Sequence, residues 1–224
     1  MKLLNREINL VIFDLDGTLI DSTSIWGDID REFFHRRGKE VPSNYADEIS
    51  HMGLTKAAEW TRKHYLPEEK EEDIIREWRE MSRMAYEKHI PLKEGAKEIL
   101  NAFKSRGVHL ALATANSEEL YLPCLNRLGI LGYFEVIRDV AKIKSGKESS
   151  EIYDGIAEEF GLLPNNVAVV EDILNALRTA KSAGYCSIGV YDKQSCKDMD
   201  AMEQNCDCFF MNLNEFVSMV EEAK

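Results

Sequence analysis

Short runs of apolar residues recur along the chain, and a segment with helical spacing follows most of them. The apolar runs cover residues 10–13, 108–113, 134–137, 167–170 and 186–190. Helical patterns occupy residues 93–106, 117–128, 149–160 and 173–183, and each is followed by a glycine, which commonly ends a helix. Apolar strands that alternate with helices are typical of a parallel sheet covered on both faces. The pattern therefore predicts an α/β fold with a Rossmann-like parallel sheet.

An insertion with a different pattern lies between the first two predicted strands, over residues 22–91. Its apolar positions follow helical spacing, as in Trp60, Ile74, Ile75, Trp78, Met81, Met84 and Ala85. Polar connections at 20–22 and 90–94 border it, and the chain is long enough for a second domain. We therefore expect an α/β core from residues 1–21 and 92–224, and a helical domain over 22–91. Asp21 is expected to shape the hinge.

Composition and charge narrow the class of protein. Apolar residues make up 44% and charged residues 30%, which is usual for globular proteins, and the net charge of -12 repels nucleic acid and anionic lipid. Residues 1–9 lack the apolar region of a signal peptide, and no stretch approaches a membrane span. Five cysteines, an odd number, favour reduced thiols, and Cys206 and Cys208 favour a buried strand over a metal site. We expect a cytoplasmic protein that binds neither nucleic acid nor membrane.

Acidic and polar residues follow three of the predicted strands. Ligands of open parallel sheets bind outside the carboxyl ends of the strands, so these residues are expected to meet at one edge. They are Asp14 and Asp16 after the first strand, Thr114, Ala115 and Asn116 after the second, and Glu171 and Asp172 after the fourth.

Carboxylates that converge without histidine or cysteine form an oxygen site, which suits Mg²⁺ better than zinc. The acidic cluster can accept a phosphate group only when a cation is present, so the metal and the substrate class are linked expectations. Asp14 can act as the nucleophile in phosphoryl transfer. Asp16, two residues later, can protonate the leaving oxygen and then activate water.

The segment Asp14-Leu15-Asp16-Gly17-Thr18 resembles the signature of the haloacid dehalogenase superfamily, in its phosphatase and phosphomutase branch. Three further motifs of that family are found in order: Thr114 after an apolar strand, Lys147 after Ser145-Gly146, and the pair Glu171-Asp172. The resemblance extends over essentially the whole chain and includes a helical cap inserted after the first motif.

The resemblance implies a phosphatase that hydrolyses a small phosphorylated metabolite, a phosphate monoester, through an aspartyl phosphate on Asp14. Thr114, with Ala115 and Asn116, would bind the phosphate group, and Lys147 would neutralise its charge. By the same resemblance, Mg²⁺ would be bound by a side-chain oxygen of Asp14, the backbone carbonyl of Asp16, and Asp172, with Glu171 either a ligand or a partner of the ligands.

Some of these assignments have alternatives. Relatives often carry prolines after the motif lysine, whereas Glu148 follows Lys147 here, so Lys144 is the second candidate. Thr114 and the Glu171-Asp172 pair could instead cap the helices that follow them. The family places a loop of the cap over the active site, and in this chain the corresponding residues are His51, Gly53 and Lys56. Lys56 would contact the substrate; the alternative is that this loop only faces solvent.

Two other functions compete with hydrolysis of a phosphate monoester. A sugar phosphomutase would use the same aspartyl phosphate, but Trp26 and Met52 stand where β-phosphoglucomutase-like members usually carry a histidine and a lysine. A catalytically inactive binding protein could tolerate loss of the motif carboxylates. That alternative is disfavoured because Asp14, Asp16 and Asp172 are all present. Dehalogenation is also disfavoured, because displacement of a halide does not require an acid such as Asp16 to protonate the leaving group. We expect a monomer or a weak homodimer.

Overall fold

The computed structural model describes residues 1–49, 52–140, 147 and 149–223, and only the backbone of Asp47. It contains two compact units. The larger comprises Met1–Thr23 and Ile90–Lys224, and the smaller comprises Ser24–His89. Every helix among the described residues is too short or too polar to cross a membrane.

A parallel sheet organises the larger unit, after a small antiparallel hairpin of β1 (Lys2–Leu3) and β2 (Arg6–Glu7). Over the described residues the sheet has six strands, and all neighbouring pairs are parallel. In chain order they are β3 (Leu10–Phe13), β4 (His109–Thr114), β5 (Val136–Asp139), β6 (Val167–Glu171), β7 (Cys186–Val190) and β8 (Cys208–Phe210). Their spatial order is β5-β4-β3-β6-β7-β8.

The central strands explain the apolar runs in the sequence. All residues of β3, β6 and β7 are buried, because helices cover both faces of a parallel sheet. This arrangement confirms the predicted α/β fold. Strand β3 lies between β4 and β6, and Phe13 pairs in register with Leu112 and Val170. The residues that follow these three strands are therefore brought side by side.

The smaller unit is helical and has a hydrophobic core of its own. Its described helices are α1 (Ile25–His35), α2 (Tyr45–Ile49), α3 (Leu54–Tyr65) and α4 (Glu71–Lys88). Aromatic and aliphatic residues share this core, and the rings of Phe34 and Tyr45 meet edge to face at 4.8 Å. Arg37 donates to Glu69 and Glu77, each at 2.7 Å, which joins the end of α1 to α4 and the segment before it.

In the described part of the larger unit, six helices accompany the sheet. They are α5 (Ala96–Lys104), α6 (Glu118–Leu128), α7 (Glu151–Glu159), α8 (Leu174–Ser182), α9 (Met199–Asn205) and α10 (Leu213–Glu222). The glycines after the four predicted helices all have positive φ, between 65° and 92°. The four helices end one to three positions before these glycines, whose backbone conformation lets the chain leave the helix without steric cost.

The predicted starts of one helix and one strand were wrong by two or three residues. Helix α5 begins at Ala96 rather than at residue 93 because Gly95 has φ +84°, and a Cβ there would lie 2.7 Å from the Asn214 side chain. Strand β5 begins at Val136 rather than at residue 134 because a 3₁₀ turn, Leu131–Tyr133, precedes it and the chain needs two residues to leave that turn.

Candidate active site

The carboxyl ends of β3, β4 and β6 deliver the predicted acidic residues to one edge of the sheet. Asp14 follows β3, Thr114 ends β4, and Glu171 ends β6 with Asp172 next to it. One carboxylate oxygen from each of Asp14, Glu171 and Asp172 lies within 4.8 Å of the others. All three side chains are buried. The structure thus brings together three of the residues expected to form the metal site.

This cluster contains unsatisfied oxygen atoms. Among the described residues, the buried Oδ2 of Asp14 and Oε2 of Glu171 have no hydrogen-bond partner. Burial raises the pKa of Glu171 to about 7 although Lys147 opposes the rise. Burial, together with Asp14 and Glu171, raises the pKa of Asp172 well above its usual value. Such a set of crowded oxygens would be stabilised by a hard divalent cation, and Mg²⁺ fits these donors.

Lys147 lies against the carboxylate cluster. Its amine donates to Oδ1 of Asp14 and, at 2.6 Å, to Oε1 of Glu171. Burial disfavours the charged amine, but Asp14 and Glu171 outweigh it and raise the pKa of Lys147. The amine is therefore cationic at neutral pH. The second candidate, Lys144, lies outside the described residues.

The loop after β3 packs directly on Asp172. The Thr18 hydroxyl donates to Oδ1 of Asp172 at 3.4 Å, a weak contact between buried groups. Gly17 has φ +82°, and a Cβ at this position would lie 2.1 Å from Oδ2 of Asp172. Only glycine combines this backbone conformation with such a close approach. The loop therefore forms one wall of the Asp172 carboxylate site.

Asp16 and the end of β4 are joined by Asn116. The Asn116 amide side chain donates to Oδ2 of Asp16, and its backbone N–H donates to the Thr114 hydroxyl at 3.1 Å. Thr114 is fully buried, whereas Ala115 between them is exposed. The structure thus connects the expected acid Asp16 to the expected phosphate-binding segment.

The profile of haloacid dehalogenase-like hydrolases matches residues 8–184, which include strands β3 to β6 and the site residues that follow them. The chain belongs to this family of hydrolases. The matched range includes Asp14, Thr114, Lys147 and Asp172.

Individual relatives of this hydrolase are phosphatases. A phosphoglycolate phosphatase of Nitrosospira multiformis is 25% identical over 96% of this chain and 97% of its own length. A phosphorylated carbohydrates phosphatase of Thermotoga maritima is 30% identical over 78% of this chain and 81% of its own. In fold, a Thermotoga maritima protein provisionally described as a β-phosphoglucomutase superposes with a TM-score of 0.84 and 24% identity, covering 97% of this chain and 100% of that one. The hydrolase is thus an enzyme whose curated relatives remove phosphate groups.

The remaining residues that the sequence predicts to take part in substrate binding lie in the smaller unit. Lys56 is exposed in the first turn of α3, and Trp26 is 41% exposed in α1. Met52 packs against the aromatic core of that unit. His51 lies outside the described residues. Substrate contact by Lys56 therefore stays a prediction.

Sequence reasoning missed two groups beside the carboxylates of this hydrolase. The Tyr153 hydroxyl donates to Oε1 of Glu171 at 3.0 Å from the buried face of α7. Lys93 donates to the carbonyl of Gly17 and pairs with Asp192 at 2.8 Å. Tyr153 occupies an apolar helical position that predicts only core packing, and Lys93 stands in a polar connection, so neither position carried a local signal.

Proposed function

We propose that this protein is a magnesium-dependent phosphatase that hydrolyses a small phosphate monoester through an aspartyl phosphate on Asp14. The observation that carries the proposal is the state of the Asp14 carboxylate. It is buried at the end of β3, Oδ1 accepts from Lys147, and Oδ2 has no hydrogen-bond partner among the described residues. One oxygen is thus oriented by a cation while the other is available for nucleophilic attack.

The donor set supports magnesium as the metal ion. Asp14, Asp172 and the backbone carbonyl of Asp16 would hold it, and Glu171 retains Oε2 while its Oε1 accepts from Lys147 and Tyr153. When bound, Mg²⁺ supplies positive charge that lets a phosphate group approach the carboxylates and stabilises charge on the transferring phosphoryl group.

The first half of the reaction transfers the phosphoryl group to the enzyme. A carboxylate oxygen of Asp14 forms a bond to phosphorus while the bond from phosphorus to the ester oxygen breaks. Asp16 gives its proton to that leaving oxygen, and the Asn116 amide holds the Asp16 carboxyl in place. Lys147 and the Thr114 hydroxyl balance the charge on the phosphoryl oxygens.

The second half releases phosphate. Asp16, now ionised, takes a proton from water, and the water oxygen bonds to phosphorus as the bond to Asp14 breaks. Inorganic phosphate leaves, and both aspartates return to their starting states. The same side chain thus acts first as an acid and then as a base, which microscopic reversibility allows.

Small phosphorylated metabolites are the substrate class that best fits the relatives, which include enzymes named for phosphoglycolate and phosphorylated carbohydrates. The smaller unit would act as a cap, with Lys56 contacting the leaving group. We further expect a cytoplasmic enzyme that works as a monomer or a weak homodimer.

The test replaces the nucleophile without changing its shape. Asp14→Asn should reduce magnesium-dependent phosphate release from phosphoglycolate and sugar phosphates to below a few per cent of wild type, because the amide is not a nucleophile. Asp200→Asn makes the same change at an exposed aspartate and should leave the rate unchanged. Circular dichroism would show that both variants fold. A folded Asp14→Asn enzyme that keeps more than a few per cent of the rate would remove Asp14 from this role.

The phosphomutase alternative is tested with β-glucose 1-phosphate, a trace of the 1,6-bisphosphate, and magnesium. We expect phosphate release to dominate, since the histidine and lysine usual in β-phosphoglucomutase-like members are replaced by Trp26 and Met52. Rapid formation of glucose 6-phosphate with little free phosphate would instead establish the mutase.

A further inference from the structure

Lys93 stands at a point where the backbone is held firmly. Its N–H donates to the carbonyl of Leu19 at 2.9 Å, and the N–H of Asp21 donates to the carbonyl of Pro91 at 3.0 Å. Between these bonds, Ile20 and Leu92 form an antiparallel bridge. The segment that carries Lys93 is therefore tied to the end of the loop that begins at Asp14.

The amine of Lys93 is fully engaged. It donates to the carbonyl of Gly17 and, at 2.9 Å, to the carbonyl of Tyr191, and it pairs with Oδ2 of Asp192 at 2.8 Å. An ammonium group has three donors, and three acceptors are present. The amine thus connects the loop after β3 with the loop after β7.

Asp192 is equally constrained and is buried, with 3% of its side chain exposed. Its Oδ2 accepts from Lys93, and its Oδ1 accepts from the backbone N–H of Gln194 at 2.9 Å. Side-chain exposure of Lys93 is 17%. Exposed ion pairs contribute little to stability. This pair is largely buried, and both Lys93 and Asp192 make further hydrogen bonds to the backbone.

The carbonyl that accepts from Lys93 belongs to the glycine whose backbone touches Asp172. Movement of Gly17 would therefore open the wall that fixes the Asp172 carboxylate, and Thr18, the hydroxyl donor to Asp172, is the next residue. Resting on the function proposed above, we propose that Lys93, held by Asp192, is a positioning residue that keeps Gly17 against Asp172 and so holds this carboxylate in its metal-binding orientation.

Lys93 could influence the metal site through its charge as well as by positioning Gly17, and the two effects are distinguished by a charge-neutral double substitution. The charges of Lys93 and Asp192 have opposite sign, so removing both leaves the net charge near Asp172 unchanged. The double variant Lys93→Met with Asp192→Asn therefore removes the link to Gly17 without adding or subtracting charge. Lys97→Met removes an exposed lysine from the same region of the sequence and serves as the control.

We expect the double variant to lower kcat by roughly tenfold and to weaken Mg²⁺ binding by roughly tenfold, the scale usual for residues that orient metal ligands. The KM for the phosphate ester should stay within about twofold, because no contact to substrate is removed. Mg²⁺ affinity would be measured by isothermal titration calorimetry on the substrate-free enzyme, and folding by thermal melting. Lys97→Met should match wild type in every measurement.

A folded double variant with wild-type kcat and Mg²⁺ affinity would overturn the proposal. If the double variant does not fold, Lys93→Arg alone decides, because it keeps the positive charge beside Asp192 but replaces the compact ammonium group by a planar one that does not fit the same three acceptors. We expect that variant to lower Mg²⁺ affinity by roughly tenfold, and an unchanged affinity would overturn the proposal. Should wild type hydrolyse no phosphate monoester, the proposed function fails, whereas the calorimetric comparison still tests Lys93.

Discussion

Replacing Gly17 by alanine should damage the active site while costing little stability. The residue has φ +82°, and an added Cβ would lie 2.1 Å from Oδ2 of Asp172. A Cβ atom is essentially never found closer than 3.0 Å to such an atom, so the carboxylate must retreat by about 0.9 Å. Asp172 is the group that would move, since the Gly17 carbonyl is held by Lys93.

The size of the effect follows from this displacement. A misplacement of about 1 Å in a catalytic site can cost roughly 100-fold in rate, which corresponds to about 2.7 kcal/mol of transition-state stabilisation. The left-handed backbone adds a strain of about 1–2 kcal/mol in the folded state for any residue with a Cβ. We therefore expect kcat/KM for magnesium-dependent phosphate release to fall by about 100-fold, with a modest decrease in melting temperature.

Gly107 provides a control for the backbone strain alone. It also has positive φ, +70°, but an added Cβ would meet no atom within 4 Å. Gly107→Ala should show a decrease in melting temperature with near wild-type kcat/KM, because the same strain arises where the added Cβ displaces no neighbouring atom. The reasoning would be refuted if Gly17→Ala kept more than about a third of the wild-type kcat/KM, or if Gly107→Ala lost as much activity.

Two further predictions concern the metal ion and the buried tyrosine. Removing magnesium with a chelator should stop turnover, and calcium should fail to restore it because its larger and looser coordination spoils in-line geometry; full activity in chelator would contradict the metal assignment. Tyr153→Phe should lower the free energy of unfolding in urea by about 1.5–3 kcal/mol, since a buried hydrogen bond to Glu171 is lost. Tyr133→Phe removes an exposed hydrogen bond to Asn101 and should cost only about 0.5–1 kcal/mol, so equal losses would argue against the special environment of Glu171.

The parallel sheet could be predicted because its cause is local. Strands buried on both faces must be apolar throughout, and β3, β6 and β7 show this in the sequence. The short hairpin β1–β2 was missed because its turn places Leu4 and Asn5 at positive φ, which is uncommon for residues other than glycine. Helices α9 and α10 were missed as well, since they follow the last strand on which the alternating pattern had been recognised.

The candidate site likewise has features that the sequence predicts and features that it does not. Asp14 and Asp16 are two residues apart, and Thr114, Lys147 and Asp172 stand in recognisable motifs, so their chemistry could be inferred from the sequence. The requirement for glycine at position 17 could not be inferred. It arises from Asp172, which is brought against this loop only because β3 and β6 are neighbours in the sheet.

Sequence alone determined the fold class and the acidic residues at the strand ends, because both depend on patterns that extend over a few neighbouring residues. Tertiary structure alone decided that Tyr153 donates to Glu171, that Asn116 holds Asp16, and that Lys93 joins Gly17 to Asp192. These contacts join side chains and carbonyls from separate strands, helices and loops. A single hydrogen bond of this kind leaves no periodic trace in the sequence, since its geometry depends on how the whole sheet places the two partners.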